Sequence, residues 1–421
     1  AIGGLGMGNS TNVSRCSEVE SASSPSKGQK SHESTAYWHE RMRESTASQR
    51  LFDASVRGDH KRAMMELVEH GSPNCCNADG FTSLMMAAAG GHLEVVRLLV
   101  TSGAKVNAAP NAWGISPLSL ASAQGGLEMA RLLLQWKADP NVGAKAGNSP
   151  LSRAAGAGHV QVCALLLEHA ADPDAYDGGG VTATMQAVER RQFEATQLLV
   201  RSGASMVRAD GKSCSALSRT VNVLLHMEVM GKHVGGMRSP LSEYDYWTEM
   251  CHIMVEKQAD PNIVDAQGDT LLTRAVRFRR KDVLVTLLSL GADRDFPVPS
   301  LRSGTVLLQA VHEGERDLVE ALVSRAASVN QPMADGATPL CIAIDNIDEE
   351  LCFFLLQSGA QYNLRDPRSG EELITRAAAN GLRRVYDSLR PLIALDAVGP
   401  DLRQGPIVAE DEGAEYQHIS D

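Results

Sequence analysis

Few residues of this 421-residue chain have the types and spacing that could do chemistry. Asp210-Gly-Lys-Ser213 matches the end of a phosphate-binding loop, but Met206 stands where the first glycine of that loop belongs, so we interpret the segment as a turn. The glycines between positions 3 and 8 lack the spacing of a dinucleotide-binding loop. His92 and His159 each follow a glycine in the same local context. No further ligands converge on them in the sequence, so we predict turn residues and no metal site.

The cysteines form no redox or metal-binding motif. No two of them have Cys-x-x-Cys spacing, and the adjacent pair Cys75-Cys76 could form only a strained disulfide. No Ser/His/Asp or Cys/His arrangement is recognisable, so we predict no catalytic residue and no cofactor. We expect reduced thiols in a cytoplasmic protein, with a nuclear location as the alternative. The eight cysteines stand at positions 16, 75, 76, 163, 214, 251, 341 and 352.

The stretch 79–107 shows the pattern of helices and turns on which these residues lie. Asp79-Gly80 indicates a tight turn, and Thr82 is a good N-cap for a short helix that ends at Gly90-Gly91. Apolar residues then recur at helical spacing until Gly103, which can adopt the left-handed conformation that ends a helix. The predicted unit is therefore a turn, a short helix, a second turn and a longer helix.

This unit recurs along the chain at a nearly constant period. The turn glycine reappears at intervals of 34, 33 and 33 residues, as Gly80, Gly114, Gly147 and Gly180. The copies share segments such as Gly-Ile-Ser-Pro-Leu at 114–118 and Gly-Ala-Thr-Pro-Leu at 336–340. Through these segments the chain resembles the ankyrin repeat family, whose period is about 33 residues. The resemblance implies an all-α fold, an ankyrin-repeat solenoid of about nine to ten helix-turn-helix units with short β-hairpin loops.

The regularity of the copies divides the chain into four predicted parts. Residues 1–34 are rich in Ser and Gly and are predicted to be a disordered leader. Residues 35–77 are predicted to form an N-terminal helix and a capping repeat, and residues 78–393 the repeat array. Residues 394–421 are polar and acidic and are predicted to be a disordered tail.

One copy is longer than the others. With Gly211 as its turn glycine, the interval to Gly268 is 57 residues, about 24 more than the period. We place the excess as an insertion at about 221–246, where glycines and a proline predict a loop. The apolar residues near 221–227 could instead lengthen the first helix of this copy.

The charge of the chain disfavours two classes of ligand. A net charge of −11 and a pI near 5.6 oppose general attraction to nucleic acid or anionic membranes. No run of 18 apolar residues exists, so no membrane span is predicted. A basic cluster at 274–281 keeps one alternative open, a module that binds phosphate, RNA or an acidic peptide.

The resemblance implies a protein-binding function. Partners of ankyrin arrays bind the concave face formed by the hairpin tips and the first helices, so we predict a non-catalytic, monomeric scaffold or adaptor. An alternative is that the array is the targeting region of a larger enzyme or channel, such as a kinase or ubiquitin ligase. The predicted partner-binding residues are Phe81, Trp113, Ile115, Gln124, Arg190, Arg191, Arg277, Phe278 and Arg280.

Two groups of these residues have a specific predicted role. Trp113, flanked by Phe81 and Ile115, would be an exposed apolar anchor, with packing between adjacent hairpins as the alternative. The arginines at 190–191 and 274–281 would dock an acidic group of a partner, with a solvated turn as the alternative.

Overall fold

A computed structural model describes residues 13–15, 33–107, 114–143, 149–227, 243–301, 304–362, 365, 368 and 370–397. Side chains are described for these residues except 13–15, 33–44, 301 and 392–397. The described residues form twenty α-helices and two short β-strands. In chain order these are β1 (Val13–Arg15), α1 (Glu33–Arg57), α2 (His60–Val68), β2 (Cys75–Asn77), α3 (Ser83–Ala89), α4 (Leu93–Thr101), α5 (Pro117–Ala123), α6 (Leu127–Gln135), α7 (Pro150–Ala157), α8 (Val160–Glu168), α9 (Ala183–Glu189), α10 (Phe193–Arg201), α11 (Ala216–His226), α12 (Glu243–Glu256), α13 (Leu271–Arg277), α14 (Lys281–Ser289), α15 (Val306–His312), α16 (Arg316–Val323), α17 (Pro339–Asp345), α18 (Glu349–Gln357), α19 (Leu373–Ala379) and α20 (Arg383–Ala397).

The twenty described helices form ten consecutive pairs. We call the first helix of each pair the inner helix and the second the outer helix. Most inner helices have seven residues and most outer helices nine. In the described part of the chain, six inner helices follow a short hairpin that contains a single β-bridge, for example between Tyr176 and Thr182. The predicted fold class is confirmed, because both the number of helix-turn-helix units and the short hairpins agree with it.

The N-caps explain where the inner helices begin. The Thr82 side chain accepts a hydrogen bond from the Met85 N–H at 3.2 Å, and Ser149 accepts one from Ser152 in the same way. Ser116 and Ser119 form a reciprocal capping box at the start of α5. Each cap satisfies a backbone donor that the first turn of a helix leaves unpaired, so the local sequence alone defines these helix starts.

The hairpin tips show that one repeat was aligned incorrectly from the sequence. The tip residue adopts a left-handed conformation and is glycine in most copies, as at Gly180 and Gly268. We call the copy with the predicted insertion the interrupted copy. Its residue in this conformation is Ser213, with φ of 59°, and it follows Gly180 at the regular interval of 33 residues. Gly211 is therefore not the tip residue of this copy, contrary to the prediction. The tip was misidentified because serine occupies a position that favours glycine.

The interrupted copy has two lengthened helices. α11 has 11 residues and α12 has 14, against seven and nine in the regular copies. Val221 and Leu224, in the part of the chain predicted to be an insertion, are buried in α11. Residues 228–242 lie outside the described residues, so the predicted loop is described only at its two helical ends.

Side chains at the turns connect successive copies. His92 Nε2 lies 3.2 Å from the carbonyl oxygen of Val56, and His159 Nε2 lies 3.2 Å from that of Ala123. The hairpins are connected by asparagines such as Asn74, whose side chain donates to the Gly103 carbonyl and accepts from the Lys105 N–H. These hydrogen bonds account for His92 and His159 as turn residues, as predicted.

The chain folds into two compact units. One unit comprises residues 1–271 and 289–292, and the other comprises residues 272–288 and 293–421. The first has a core of aliphatic side chains that also holds aromatic residues such as the fully buried Trp247, and the second has a core of aliphatic side chains such as Leu307 and Leu340. Small and aliphatic residues predominate because paired helices must approach closely to bury their apolar faces.

The ends of the chain differ in part from the predicted boundaries. Residues 13–15, inside the predicted leader, form β1, which pairs antiparallel with β2 so that Val13 lies opposite Asn77. At the other end, α20 extends to Ala397 within the predicted tail. The remaining residues of the predicted tail lie outside the described part of the chain.

Candidate protein-binding surface

The inner helices present two rows of side chains that repeat from copy to copy. In the nine inner helices from α3 to α19, we call the fourth residues the fourth-position row and the seventh residues the seventh-position row. The fourth-position row is Met86, Leu120, Arg153, Gln186, Arg219, Arg274, Gln309, Ile342 and Arg376. The seventh-position row is Ala89, Ala123, Gly156, Glu189, Asn222, Arg277, His312, Asp345 and Ala379. The first two fourth-position residues are apolar and buried, so the polar character of the face begins at Arg153.

Two arginines of the fourth-position row bind a carboxylate of the preceding copy. Arg219 contacts Glu189, and it also donates to Asp210 of its own hairpin at 2.7 Å. Arg376 contacts Asp345 at 2.7 Å. In both cases the acidic residue belongs to the seventh-position row, so the same ion-pair geometry occurs once in each unit.

The Asp210 carboxylate is held in its charged form. Burial by itself raises the pKa of Asp210, but the backbone N–H groups of Cys214 and Lys212 and the Arg219 guanidinium outweigh burial and lower the pKa. The Asp210 side chain is 4% exposed, whereas the Glu189 side chain is 62% exposed. The ion pair between Arg219 and Asp210 is therefore buried and matters for stability. The ion pair between Arg219 and Glu189 is exposed to solvent and contributes little.

Two of the three residues predicted for the exposed apolar anchor are buried. Phe81 is 8% exposed and Ile115 is 4% exposed, because both side chains pack into the core beneath their hairpins. Trp113 lies outside the described residues. Phe81 and Ile115 are thus packing residues, and their burial conflicts with a role as surface anchors.

The polar candidates in the first unit lie at turns on the surface. Gln124, Arg190 and Arg191 are exposed. Arg191 has φ of 57°, in the left-handed region. The structure brings Arg190 close to the preceding inner helix, where the Arg190 Cδ lies 3.4 Å from the ideal Cβ position on Gly156.

The basic cluster at 274–281 is largely engaged within the chain. Arg280 makes two hydrogen bonds to the Asp282 carboxylate, at 3.0 and 2.8 Å, and only 13% of its side chain is exposed. Arg279 contacts Glu315 at 2.9 Å. Arg277 and Phe278 are exposed, the latter by 42%. Because carboxylates already neutralise part of the cluster, the structure disfavours the phosphate and RNA alternative, and Arg280 is a poor candidate for partner binding.

Arg153 and Ile347 were not predicted from the sequence. Arg153 lies in the fourth-position row, and an alignment of all copies on their N-caps would have shown it next to Arg219 and Arg376. Ile347 occupies the turn between α17 and α18 with φ of 58° and is 59% exposed. An exposed isoleucine at a turn that usually holds glycine was the signal that could have identified it.

The thiols have the character of packing residues. Burial raises the pKa of Cys163, Cys251 and Cys352 to about 12, so these thiols stay protonated near neutral pH. Cys75 and Cys76 are both buried, and Cys75 Sγ lies 2.9 Å from Ser83 Oγ. Over the described ranges no three His, Cys, Asp or Glu side chains converge as metal ligands.

Comparisons with known proteins agree with this architecture. Family models described as ankyrin repeats (3 copies) match residues 51–144, 118–210 and 295–366, and a model described as ankyrin repeats (many copies) matches residues 246–288. These matches cover more than half of the chain, which defines a repeat protein built of paired helices. The chain belongs to the ankyrin repeat family.

Several known proteins are similar to part of this chain. "Ankyrin repeat and SAM domain-containing protein 6" of Danio rerio is 31% identical over 118 residues, which are 28% of this chain and 16% of that protein. "Glycerophosphocholine phosphodiesterase gde1" of Schizosaccharomyces pombe is 39% identical over 84 residues, 19% of this chain and 7% of that protein. "E3 ubiquitin-protein ligase KEG" of Arabidopsis thaliana is 29% identical over 140 residues, 30% of this chain and 9% of that protein. The chain therefore matches less than a fifth of each relative.

Membership of this family sets the general function. Ankyrin repeats serve protein–protein interaction, so protein partners are indicated, and the ankyrin repeat fold is typically non-catalytic. Among the described helices, none combines the length and the apolar character that crossing a membrane requires.

Proposed function

We propose that this chain is a non-catalytic scaffold or adaptor that binds a partner protein through the face formed by its inner helices and the turns that follow them. A preformed surface loses little conformational entropy on binding, which suits a recognition function. We further propose that it acts in the cytoplasm, since its described cysteines are free thiols, and that it is a monomer.

One observation carries this proposal. Nine of the turns within helix pairs are described, and each contains one residue with positive φ. Six of these residues are glycine, and the other three are Arg191, Arg279 and Ile347. A non-glycine residue in the left-handed region costs about 1–2 kcal/mol relative to a normal conformation, and a β-branched residue there is a true outlier. Exposed side chains kept at such positions support a binding function, because packing does not require them.

Glycine substitutions separate stability from binding at these turns. We expect Arg191→Gly and Ile347→Gly each to raise the free energy of unfolding by about 0.5–1 kcal/mol, because relief of the left-handed strain exceeds the entropy that glycine adds to the unfolded chain. We expect the double variant to lose proteins that the parent chain captures from a cell extract. Urea melts measure the stability, and quantitative mass spectrometry of an affinity pull-down measures the capture.

Lys137→Gly is the matched control for this experiment. Lys137 is exposed with φ of 59°, but it follows an outer helix instead of an inner one. It should gain similar stability and retain all captured proteins. A double variant that is more stable and still captures the same proteins would show that these turns do not contact the partner.

A second candidate function is favoured by the relatives. Two of them are named as enzymes, and only 7% and 9% of their lengths are similar to this chain, so the array could also target an enzyme to its substrate. Sequencing of the full-length transcript tests this candidate, which requires a catalytic domain in the same reading frame.

A further inference from the structure

The first outer helix, α2, presents apolar side chains to solvent. Met64, Met65 and Val68 are 52%, 63% and 74% exposed. Together with Lys61 they have the i, i+3, i+4, i+7 spacing that places side chains on one face of a helix. We call these four residues the α2 stripe. Among the described residues eight large apolar side chains are exposed, and the three in α2 are the only ones that share a helix.

The residue types of α2 are reversed relative to the regular copies. Its seventh residue is the buried Glu66, whereas eight of the described outer helices have a buried leucine there, from Leu99 in α4 to Leu389 in α20. Its exposed fifth and ninth residues are Met64 and Val68, whereas α4, α6 and α10 have polar residues at both positions. A terminal repeat that faces only solvent is expected to be polar on its outside. Packing of the array therefore does not account for the apolar side chains of the stripe.

The N-terminal end of the α2 stripe is basic. Arg57, Lys61 and Arg62 are exposed and lie close together in the chain. Over the described ranges, neither Arg57 nor Lys61 forms an ion pair. The neighbouring acidic residues are engaged, because Asp59 accepts the Arg62 N–H as the N-cap of α2 at 3.0 Å and Glu66 is buried beside the Arg62 side chain. The stripe therefore combines apolar side chains with positive charge at one end.

We propose that the α2 stripe is a second interaction surface, which binds an amphipathic helix with acidic residues beside its apolar face. An apolar stripe that extends over two helical turns is complementary in shape to the apolar face of another helix. Methionine suits such a surface, because its flexible side chain adapts to the partner. The acidic residues of the partner lie near Arg57 and Lys61, where opposite charges attract. The stripe is on an outer helix, so this inference is independent of the inner-helix face.

A labelled peptide tests this surface directly. The probe is a fluorescein-labelled peptide of about 18 residues with leucine on one helical face and glutamate beside it, since shorter isolated helices are marginal in water. One counterpart has lysine in place of glutamate, and another has the residues of the probe in scrambled order. Fluorescence anisotropy at about 50 mM salt should show that the parent chain binds the probe at least ten-fold more tightly than either counterpart.

Two variants remove the two properties of the α2 stripe separately. Met64→Arg combined with Val68→Thr introduces the residue types that α4 has at these positions, and it should weaken binding at least about ten-fold through lost apolar contact. Lys61→Glu should weaken binding about three- to ten-fold at low salt and less at about 500 mM salt, where charges are screened. The three positions are exposed, so melts followed by circular dichroism should match the parent chain.

Val207→Thr is the matched control, because it repeats one of these substitutions at another exposed apolar residue. Val207 is 64% exposed and lies between α10 and α11, outside the α2 stripe. This variant should change the affinity for the probe by less than about two-fold, since a surface residue without contact to the peptide contributes little.

Several results would overturn the inference. No binding of the probe, or equal affinity for all three peptides, would refute recognition of an acidic helix. Equal losses in Val207→Thr and in the Met64→Arg, Val68→Thr variant would show that the peptide does not bind α2. Binding to phosphatidylserine vesicles, or dimerisation in sedimentation equilibrium, that only this double variant abolishes would assign the stripe to lipid or to a second copy instead. The pull-down with the Arg191→Gly and Ile347→Gly double variant concerns other turns, so the proposed scaffold function and this surface can fail separately.

Discussion

Replacing Trp247 with alanine is expected to lower the free energy of unfolding by about 3–5 kcal/mol, as loss of a large buried aromatic side chain usually does. Trp247 is 0% exposed and is the largest fully buried side chain among the described residues. Its ring meets Phe193 of α10 edge to face, with centroids 5.8 Å apart, and Phe193 also contacts Tyr246 at 4.7 Å. The extra residues at the start of α12 thus attach the interrupted copy to the copy before it.

Trp247→Phe is the control for this prediction. Within the part of the chain that the structure describes, no residue accepts a hydrogen bond from the indole Nε1, so phenylalanine loses no such bond. We expect a decrease of about 1–2 kcal/mol, which reflects the smaller ring. Urea melts followed by far-UV circular dichroism measure both variants. Equal, small effects of alanine and phenylalanine would show that the interrupted copy contributes little to the stability of the protein.

Replacing Arg219 with methionine is expected to lower the free energy of unfolding by about 3–5 kcal/mol, because it leaves the Asp210 carboxylate buried without its guanidinium. Methionine keeps much of the aliphatic volume, so the change isolates the charge. The backbone N–H groups of Lys212 and Cys214 still donate to Asp210, at 2.8 and 2.9 Å, and limit the loss. Glu189→Gln should lower the free energy of unfolding by less than about 1 kcal/mol, because Glu189 is solvated.

The same pair makes a prediction about pH. The pKa of Asp210 is lowered in the folded protein, so Asp210 contributes stability above its unfolded pKa of about 3.9. That contribution is lost as the pH falls through the unfolded value towards the lowered folded value. In Arg219→Met the pKa is lowered less, so stability should decrease less steeply below about pH 5 than in the parent chain. Urea melts at pH 3–7 measure this, and identical slopes would contradict the role of Arg219.

Local features of the sequence predicted the repeat fold well. The N-cap at Thr82, the prolines that start α5 and α7, and the turn glycines act through neighbours a few residues away. The same rules misplaced the tip of the interrupted copy, where Ser213 adopts the conformation usual for glycine. An exception to a local preference can be recognised only when the flanking hairpin is seen in space.

The candidate surface was less predictable from sequence. Phe81 and Ile115 looked like exposed anchors because they flank hairpin tips, but their side chains are buried. Arg280 looked like a free cation, but Asp282 pairs with it. Burial and ion pairing depend on how one copy lies on the next, and the order of residues within one copy does not specify this.

The sequence by itself determined the helix-turn-helix unit, its period and the membership of a repeat family, because caps, turns and apolar periodicity are local properties. Only the tertiary structure decided which arginines of the inner helices share a region of the surface. Arg153 and Arg190 are far apart in the chain, but stacking of adjacent copies brings Arg190 against Gly156, one turn from Arg153 on α7, and its charge lowers the pKa of Arg153 after the larger effect of burial. Electrostatic interactions depend on distance in space, so the charges that distinguish this array become apparent only in the folded protein.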